Sequence, residues 1–269
     1  MTKAITANNV TKSFGGVTVL DKIRLDIAPG EFVTIVGASG CGKSTLLRIM
    51  AGLEFADSGT IACGDRRIDG PGVERAMVFQ DYSLFPWLNV INNVMFSRRL
   101  AANTSDNLAL ERGAEERRAE TLLSLVGLSK ARNTFPSQLS GGMRQRVAIA
   151  RALMSKPSIL LMDEPFGALD AQTREVMQEL VLDVARNEGT TIVFVTHDVE
   201  EAIYLGARVV LMSPHPGRID SIYPVPFGQS RNADIRLDPQ FLELKRRIMG
   251  RVRETVTASF STDEAQVSG

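Results

Sequence analysis

With 269 residues, 44% of them hydrophobic and 23% charged, the chain has the composition of a globular protein, long enough for one large domain or two modest ones. Lys plus Arg and Asp plus Glu each number 31, so the formal net charge is zero and the basic excess of a duplex-binding protein is missing; no nucleic-acid partner is expected. Two cysteines, Cys41 and Cys63, cannot build a disulfide framework and fit a reducing compartment.

The N-terminal run Met1-Thr2-Lys3-Ala4-Ile5-Thr6 has no apolar segment of a secretory signal. Residues 22–27 alternate as Lys-Ile-Arg-Leu-Asp-Ile, the pattern of a half-exposed antiparallel strand, and Pro29-Gly30 turns the chain. Phe32–Val36 is a continuous apolar run leading into a Gly-rich loop, as a buried parallel strand should be. A helix follows through Leu46–Met50, ended by Gly52, and then short strands around Thr60–Cys63 and Ala76–Phe79. Ala114–Val126 has helical spacing with a stop at Gly127, and a further helix runs from about Gly142 to Met154. Residues 88–150 therefore read as a mostly helical insert in an α/β body.

The body resumes with strand Ile159–Asp163, helix Ala171–Arg186, strand Thr190–Thr196, helix Val199–Leu205 and strand Arg208–Met212. Its apolar runs are far too short to span a bilayer, so a membrane role must come through a partner. Strands alternating with helices through right-handed crossovers predict a mainly parallel sheet that binds ligand at the strands' C-terminal ends. Gly228–Leu237 is polar and reads as linker. Phe241, Leu244, Ile248 and Val252 recur at helical spacing and predict a short amphipathic helix, with Thr257–Gly269 frayed beyond it.

Gly37-Ala38-Ser39-Gly40-Cys41-Gly42-Lys43-Ser44, followed by Thr45, is a phosphate loop between a strand and a helix. Its backbone N–H groups suit phosphate oxygens, Lys43 reaches the terminal phosphates, and the Ser44 hydroxyl is a Mg2+ ligand. With no Asn-Lys-x-Asp run to read guanine, ATP is favoured. Beside Lys43 and a helix start, the Cys41 thiol is expected to be more acidic than usual. Asp163 closes a buried strand where such folds hold Mg2+, and Glu164 is placed to activate water; the alternative is that Glu164 only caps the turn before Pro165. Gln80 follows a strand and either bonds the Mg2+ shell or is an ordinary loop amide. A second Gly-rich helix start stands at Ser140-Gly141-Gly142, within Leu139–Arg146. Either Ser140 is a plain N-cap, or this is a second cradle for phosphate. One nucleotide has no use for two cradles in one subunit, whereas two copies packed head to tail would use both.

The order P-loop, Gln80, Ser140-Gly141-Gly142, Asp163-Glu164, Asp170, His197 makes the chain resemble the ATP-binding subunit of an ABC transporter over roughly residues 5–222. The resemblance implies an α/β P-loop NTPase fold with a mainly parallel sheet core, an N-terminal antiparallel β-subdomain and an inserted helical subdomain. That domain would fill residues 1–228, with a C-terminal extension over 229–269. It implies a homodimer hydrolysing ATP with Mg2+, His197 as the switch histidine at the γ-phosphate, and Gly167-Ala168-Leu169-Asp170 as the loop crossing the dimer interface. Gly167 replaces the serine usual there. Phe14, in Ser13-Phe14-Gly15-Gly16, would stack adenine where many relatives carry Tyr; the alternative is a core residue. Residues 81–97, with the cluster Leu84-Phe85-Pro86-Trp87, would dock a membrane permease, or else pack as core.

Leu84–Leu88, Glu164–Asp170 and Leu237–Phe241 look most like the nitrate, sulfonate and taurine importers, a bacterial group. The subunit is then peripheral, on the cytoplasmic face of the inner membrane. It is served indirectly by a periplasmic or lipid-anchored solute-binding protein. The lack of a large C-terminal regulatory domain sets it apart from the sugar-importer branch. The competing functions are a soluble ABC-type ATPase acting on nucleic acid or ribosomes, and a small-molecule kinase. The kinase leaves the second cradle and Glu164 without purpose.

Overall fold

The computed structural model describes residues 3–99, 112–228 and 231–267. The chain divides into two compact units, one formed by Met1–Pro71 with Thr191–Gly269 and the other by Gly72–Thr190.

The first unit opens with β1 (Ile5–Phe14) and β2 (Val17–Ile27), an antiparallel pair in which Ile5 faces Ile27 and Phe14 faces Val17. β3 (Phe32–Gly37) is buried along its whole length and leads into α1 (Lys43–Ala51). β4 (Ser58–Cys63) pairs with β1, and the short β5 (Arg66–Arg67) completes an antiparallel sheet of order β2-β1-β4-β5. This is the expected antiparallel N-terminal sheet, although the sequence reading gave β1 no strand of its own.

The second unit starts with β6 (Arg75–Val78), then α2 (Val90–Met95), α3 (Arg112–Leu125) and α4 (Gly141–Met154). β7 (Ile159–Asp163), wholly buried, pairs in parallel with β6, Val78 opposite Met162, and α5 (Ala171–Glu188) closes the unit. Ala119, Leu122 and Leu123 of α3 and Val147, Ala148 and Ile149 of α4 are buried, which is why this stretch is helical although it lies between strands.

Back in the first unit, β8 (Thr191–Val195), α6 (Val199–Leu205), β9 (Arg208–Ser213) and β10 (Arg218–Pro224) follow. They join β3 in the order β10-β9-β3-β8, parallel except for the antiparallel β9–β10 hairpin. Mixed α/β architecture with a parallel core is thus present as expected; β10 is an addition to it.

Two expectations at the C-terminal end need correction. From Arg231 onward the polar stretch expected as linker is tied down rather than slack. Arg231 donates to the carbonyls of Ile203, Tyr204 and Gly206, capping α6, and to those of Phe227 and Gly228. Burial among carbonyls draws its guanidinium down to about 10. The closing helix α7 (Pro239–Val267) is 29 residues long rather than short, and it continues through the tail expected to fray. Phe241, Ile248 and Thr255 are buried along one face, with Leu244 and Val252 half-buried beside them, so the predicted apolar stripe is the face that packs. Among the described residues no helix is long and apolar enough to cross a membrane.

Candidate functional site

In the first unit the phosphate loop is shaped by what its glycines touch. A Cβ on Gly37 would lie 2.5 Å from the Met212 carbonyl oxygen and 2.8 Å from Cys41 Sγ. One on Gly42, at φ 90°, would lie 2.5 Å from Leu20 Cδ2. Gly42 is also the N-cap of α1 and has no side chain to occupy the first-turn amides, and the first turn carries no acidic residue. A glycine-capped helix start with no acidic residue in its first turn is an arrangement that suits a phosphate.

Lys43, buried, donates from Nζ to the carbonyls of Gly37 and Ala38, both at 2.9 Å. Ser39 and Gly40 are exposed, Ser44 and Thr45 half-buried at the start of α1. Cys41 departs from expectation. Its thiol is fully buried, and desolvation raises its pKa despite the opposing pull of Lys43 at 3.8 Å from Sγ. Proximity to a cation does not make it acidic here, because burial of the thiolate costs more than the cation returns.

The same end of the sheet carries His197. Ile35 of β3 faces Val195 of β8 in parallel register, so Gly37 and His197 each stand two residues beyond that pair. His197 is exposed. Behind it the Asp198 carboxylate caps α6, accepting from the amides of Glu200 at 2.8 Å and Glu201 at 3.3 Å. Phe14, at the end of β1, is 47% exposed and so is not core.

In the second unit Val78 of β6 faces Met162 of β7, which puts Gln80 and Glu164 each two residues past one parallel pair. Asp163 is 4% exposed, Glu164 half-buried, Gln80 exposed. Glu164 has φ 43°, a left-handed conformation that a glutamate just before a proline adopts only at a cost. Among the described residues no group of three or more His, Cys, Asp or Glu forms a metal cage. The buried Asp163 carboxylate is of the chemical kind that holds Mg2+, which is ordinarily bound by one or two carboxylates together with substrate phosphate oxygens.

Ser140 is the N-cap of α4, its Oγ accepting from the Met143 amide at 3.2 Å. It is exposed, and the glycines after it are tightly placed. A Cβ on Gly141 would come within 3.1 Å of the Tyr82 hydroxyl, and one on Gly142 within 3.3 Å of the Ala168 carbonyl. This helix start thus packs against Ala168 and Leu169, within the run Gly167-Ala168-Leu169-Asp170. Asp170 in turn caps α5, accepting from the Thr173 amide at 2.9 Å and from its hydroxyl at 2.7 Å, and these bonds hold its pKa below the usual carboxylate value.

Residues 81–97 divide as the sequence left open. Val90, Ile91 and Val94 are core. Buried Asn93 grips the preceding loop, accepting from the Phe85 amide at 2.9 Å and donating to the carbonyls of Phe85 and Leu88 at 3.1 and 2.8 Å. The grip leaves Trp87 70% exposed, its ring 5.5 Å from that of Phe85.

Sequence reasoning missed several supporting residues. Gly217 closes on the phosphate loop from behind: its amide donates to Val19 O at 2.9 Å, and a Cβ there would collide with the Cys41 carbonyl. Arg151 of α4 donates to the carbonyls of Tyr82 and Ser83 at 3.2 and 2.7 Å, both residues at positive φ. Only the Pro-His-Pro-Gly turn at residues 214–217 hinted at the first of these.

Comparison with known proteins bears on this arrangement. The ABC transporter family model matches residues 20–167. The taurine import ATP-binding protein of Chromobacterium violaceum is 44% identical, over 93% of this chain and 95% of its own length. The aliphatic sulfonates import ATP-binding protein of Bacillus subtilis is 41% identical over 88% of each. A dimeric ATP-binding cassette solved in a post-hydrolysis state, bound to ADP and Pi, superposes with TM-score 0.75 at 32% identity, covering 83% of this chain and all of that one.

Proposed function

The chain belongs to the ABC transporter family, and from that premise we propose that it is the ATP-hydrolysing subunit of a bacterial importer for a small sulfonate such as taurine. It works as a head-to-tail homodimer under a separate membrane permease, peripheral to the cytoplasmic face of the inner membrane, with a solute-binding protein on the far side. Sulfonate rather than nitrate is favoured because the relatives just described are named for sulfonate and taurine import. Their import names likewise leave the nucleic-acid and ribosome alternative without an observation in its favour.

In this reading each nucleotide is held by the phosphate loop of one copy, Gly37 to Thr45, with Phe14 against the adenine. Ser140, Gly141 and Gly142 of the other copy approach its γ-phosphate. Ser44, Asp163 and Gln80 would hold Mg2+, which would supply charge neutralisation at the phosphates. Glu164 takes a proton from the attacking water, and His197 donates a hydrogen bond to the γ-phosphate and keeps the water in line. Asp170 lies on the loop that meets the partner copy. ATP binds the closed dimer better than the open one, and that difference in affinity is what closes it. The Phe85–Trp87 surface then passes the motion to the permease.

The observation that supports this reading is the presence in one chain of two helix starts flanked by glycine, one with Gly42 as N-cap and one with Ser140 followed by Gly141 and Gly142. Light scattering of Glu164→Gln tests it. With ATP and Mg2+ the variant should run as a dimer without turnover and return to monomer with ADP. A mass that ATP leaves unchanged would remove the basis for a shared site.

A further inference from the structure

We propose that Lys12 is a positioning residue that ties the nucleobase platform Phe14 to the phosphate-binding helix α1. The inference rests on Phe14 stacking the adenine, as proposed above. Lys12 and Phe14 stand two residues apart on β1 and so share a face. Nζ of Lys12 lies 4.9 Å from the centroid of the Phe14 ring, within range of a cation–π contact. Lys12 is only 9% exposed, which is unusual for a lysine, and two carboxylates account for it. Nζ lies 2.8 Å from Glu54 Oε1 and 3.4 Å from Asp57 Oδ1.

Both acids are anchored to what the nucleotide touches. Glu54 comes three residues after the end of α1, whose first turn follows directly on the phosphate loop. Asp57 grips β1 on either side of Lys12: its Oδ2 accepts from the Ser13 amide at 2.6 Å, and its own amide donates to the Thr11 carbonyl at 2.9 Å. A free lysine would sample many rotamers, whereas this ammonium is held over one face of the ring. The rest of the half-exposed ring is what a base can reach. The bridge therefore fixes the platform relative to the far end of the helix whose start binds phosphate, and so sets the spacing between base and phosphate subsites.

Calorimetric titration of the full chain with ADP and with pyrophosphate, which has no base, separates the roles. Phe14→Ala should weaken ADP by about tenfold, the scale of one base–aromatic stack, and leave pyrophosphate unchanged. Lys12→Met should weaken ADP several-fold, spare pyrophosphate, and add nothing in the Phe14→Ala background; Lys12→Arg should recover most of the loss. If Lys12→Met costs as much without Phe14 as with it, or weakens both ligands equally, the proposal is overturned while the platform reading stands. If Phe14→Ala binds ADP normally, the platform reading falls and takes this proposal with it. Should Lys12→Met fail to fold, Glu54→Gln removes the nearer carboxylate, and selective loss of ADP affinity against no selective loss decides the matter in the same way.

Discussion

The ammonium of Lys43 lies 2.9 Å from the carbonyl oxygen of Gly37, the last residue of the strand that leads into the phosphate loop. A second bond of the same length runs to Ala38 O, so the lysine closes the loop on itself. The cradle is thus preorganised by the residue that also supplies its cationic charge. Lys43→Met leaves two carbonyls facing an apolar chain, at a cost of about 1–3 kcal/mol for an unsatisfied buried group. A lowered Tm together with lost ADP binding is expected. Wild-type melting would mean that the internal bonds do not shape the loop.

Gly217 should matter to nucleotide binding although it is far along the chain from the loop. Its missing Cβ is what lets it pass between the carbonyls of Cys41 and Val19, the latter at 2.8 Å from where that carbon would sit. Gly217→Ala should push the loop out of place, weakening ADP and destabilising the fold by about 1–3 kcal/mol, as overpacking does. Gly228→Ala, which meets nothing within 4 Å, is the control. Equal ADP affinity in the two variants would show that the loop is not braced there.

The strain at Glu164 predicts an inverted order of stability. Ala and Gly both remove the side chain, but only Gly takes φ 43° without penalty. Glu164→Gly should therefore be more stable than Glu164→Ala by about 1 kcal/mol, and neither should hydrolyse ATP. Denaturant melts of the two settle it: an Ala variant as stable as the Gly variant means that the position is unstrained.

Burial raises the Cys41 thiol above its ordinary value, so the folded protein favours the protonated form. The linked stability is fully present below the unfolded thiol's pKa and is lost as pH rises through the higher folded value. Cys41→Ala should flatten that part of the alkaline stability curve. Iodoacetamide at pH 8 should label native protein far more slowly than unfolded protein, and ADP should slow it further. Rapid native labelling would restore the acidic-thiol expectation.

The strands that carry the proposed nucleotide motifs were legible because a buried apolar run is a local signal. A buried run ending in glycine, or in Asp163, announces the strand and where it stops, and β7 and α6 have the bounds that the sequence predicted. β1 was missed because its register shifts between Ala7 and Val10 break the alternation that marks a strand. β10 was missed because it is half-exposed with little alternation. Arg231, Gly217 and the Lys12–Glu54–Asp57 bridge act on groups remote in sequence, and no spacing rule points to such contacts. Cys41 shows the converse error, since nearness to Lys43 was visible in the sequence and full burial was not.

The central claim is that a working centre draws its phosphate loop from one copy and Ser140 from another. Mixing two inactive variants, Lys43→Ala and Ser140→Arg, tests it most directly. In a mixed dimer one site unites the intact loop of the Ser140 variant with the intact Ser140 of the Lys43 variant. ATPase activity well above either parent, rising as the two are titrated together, is the predicted result. A mixture no more active than the sum of its parents would contradict the account.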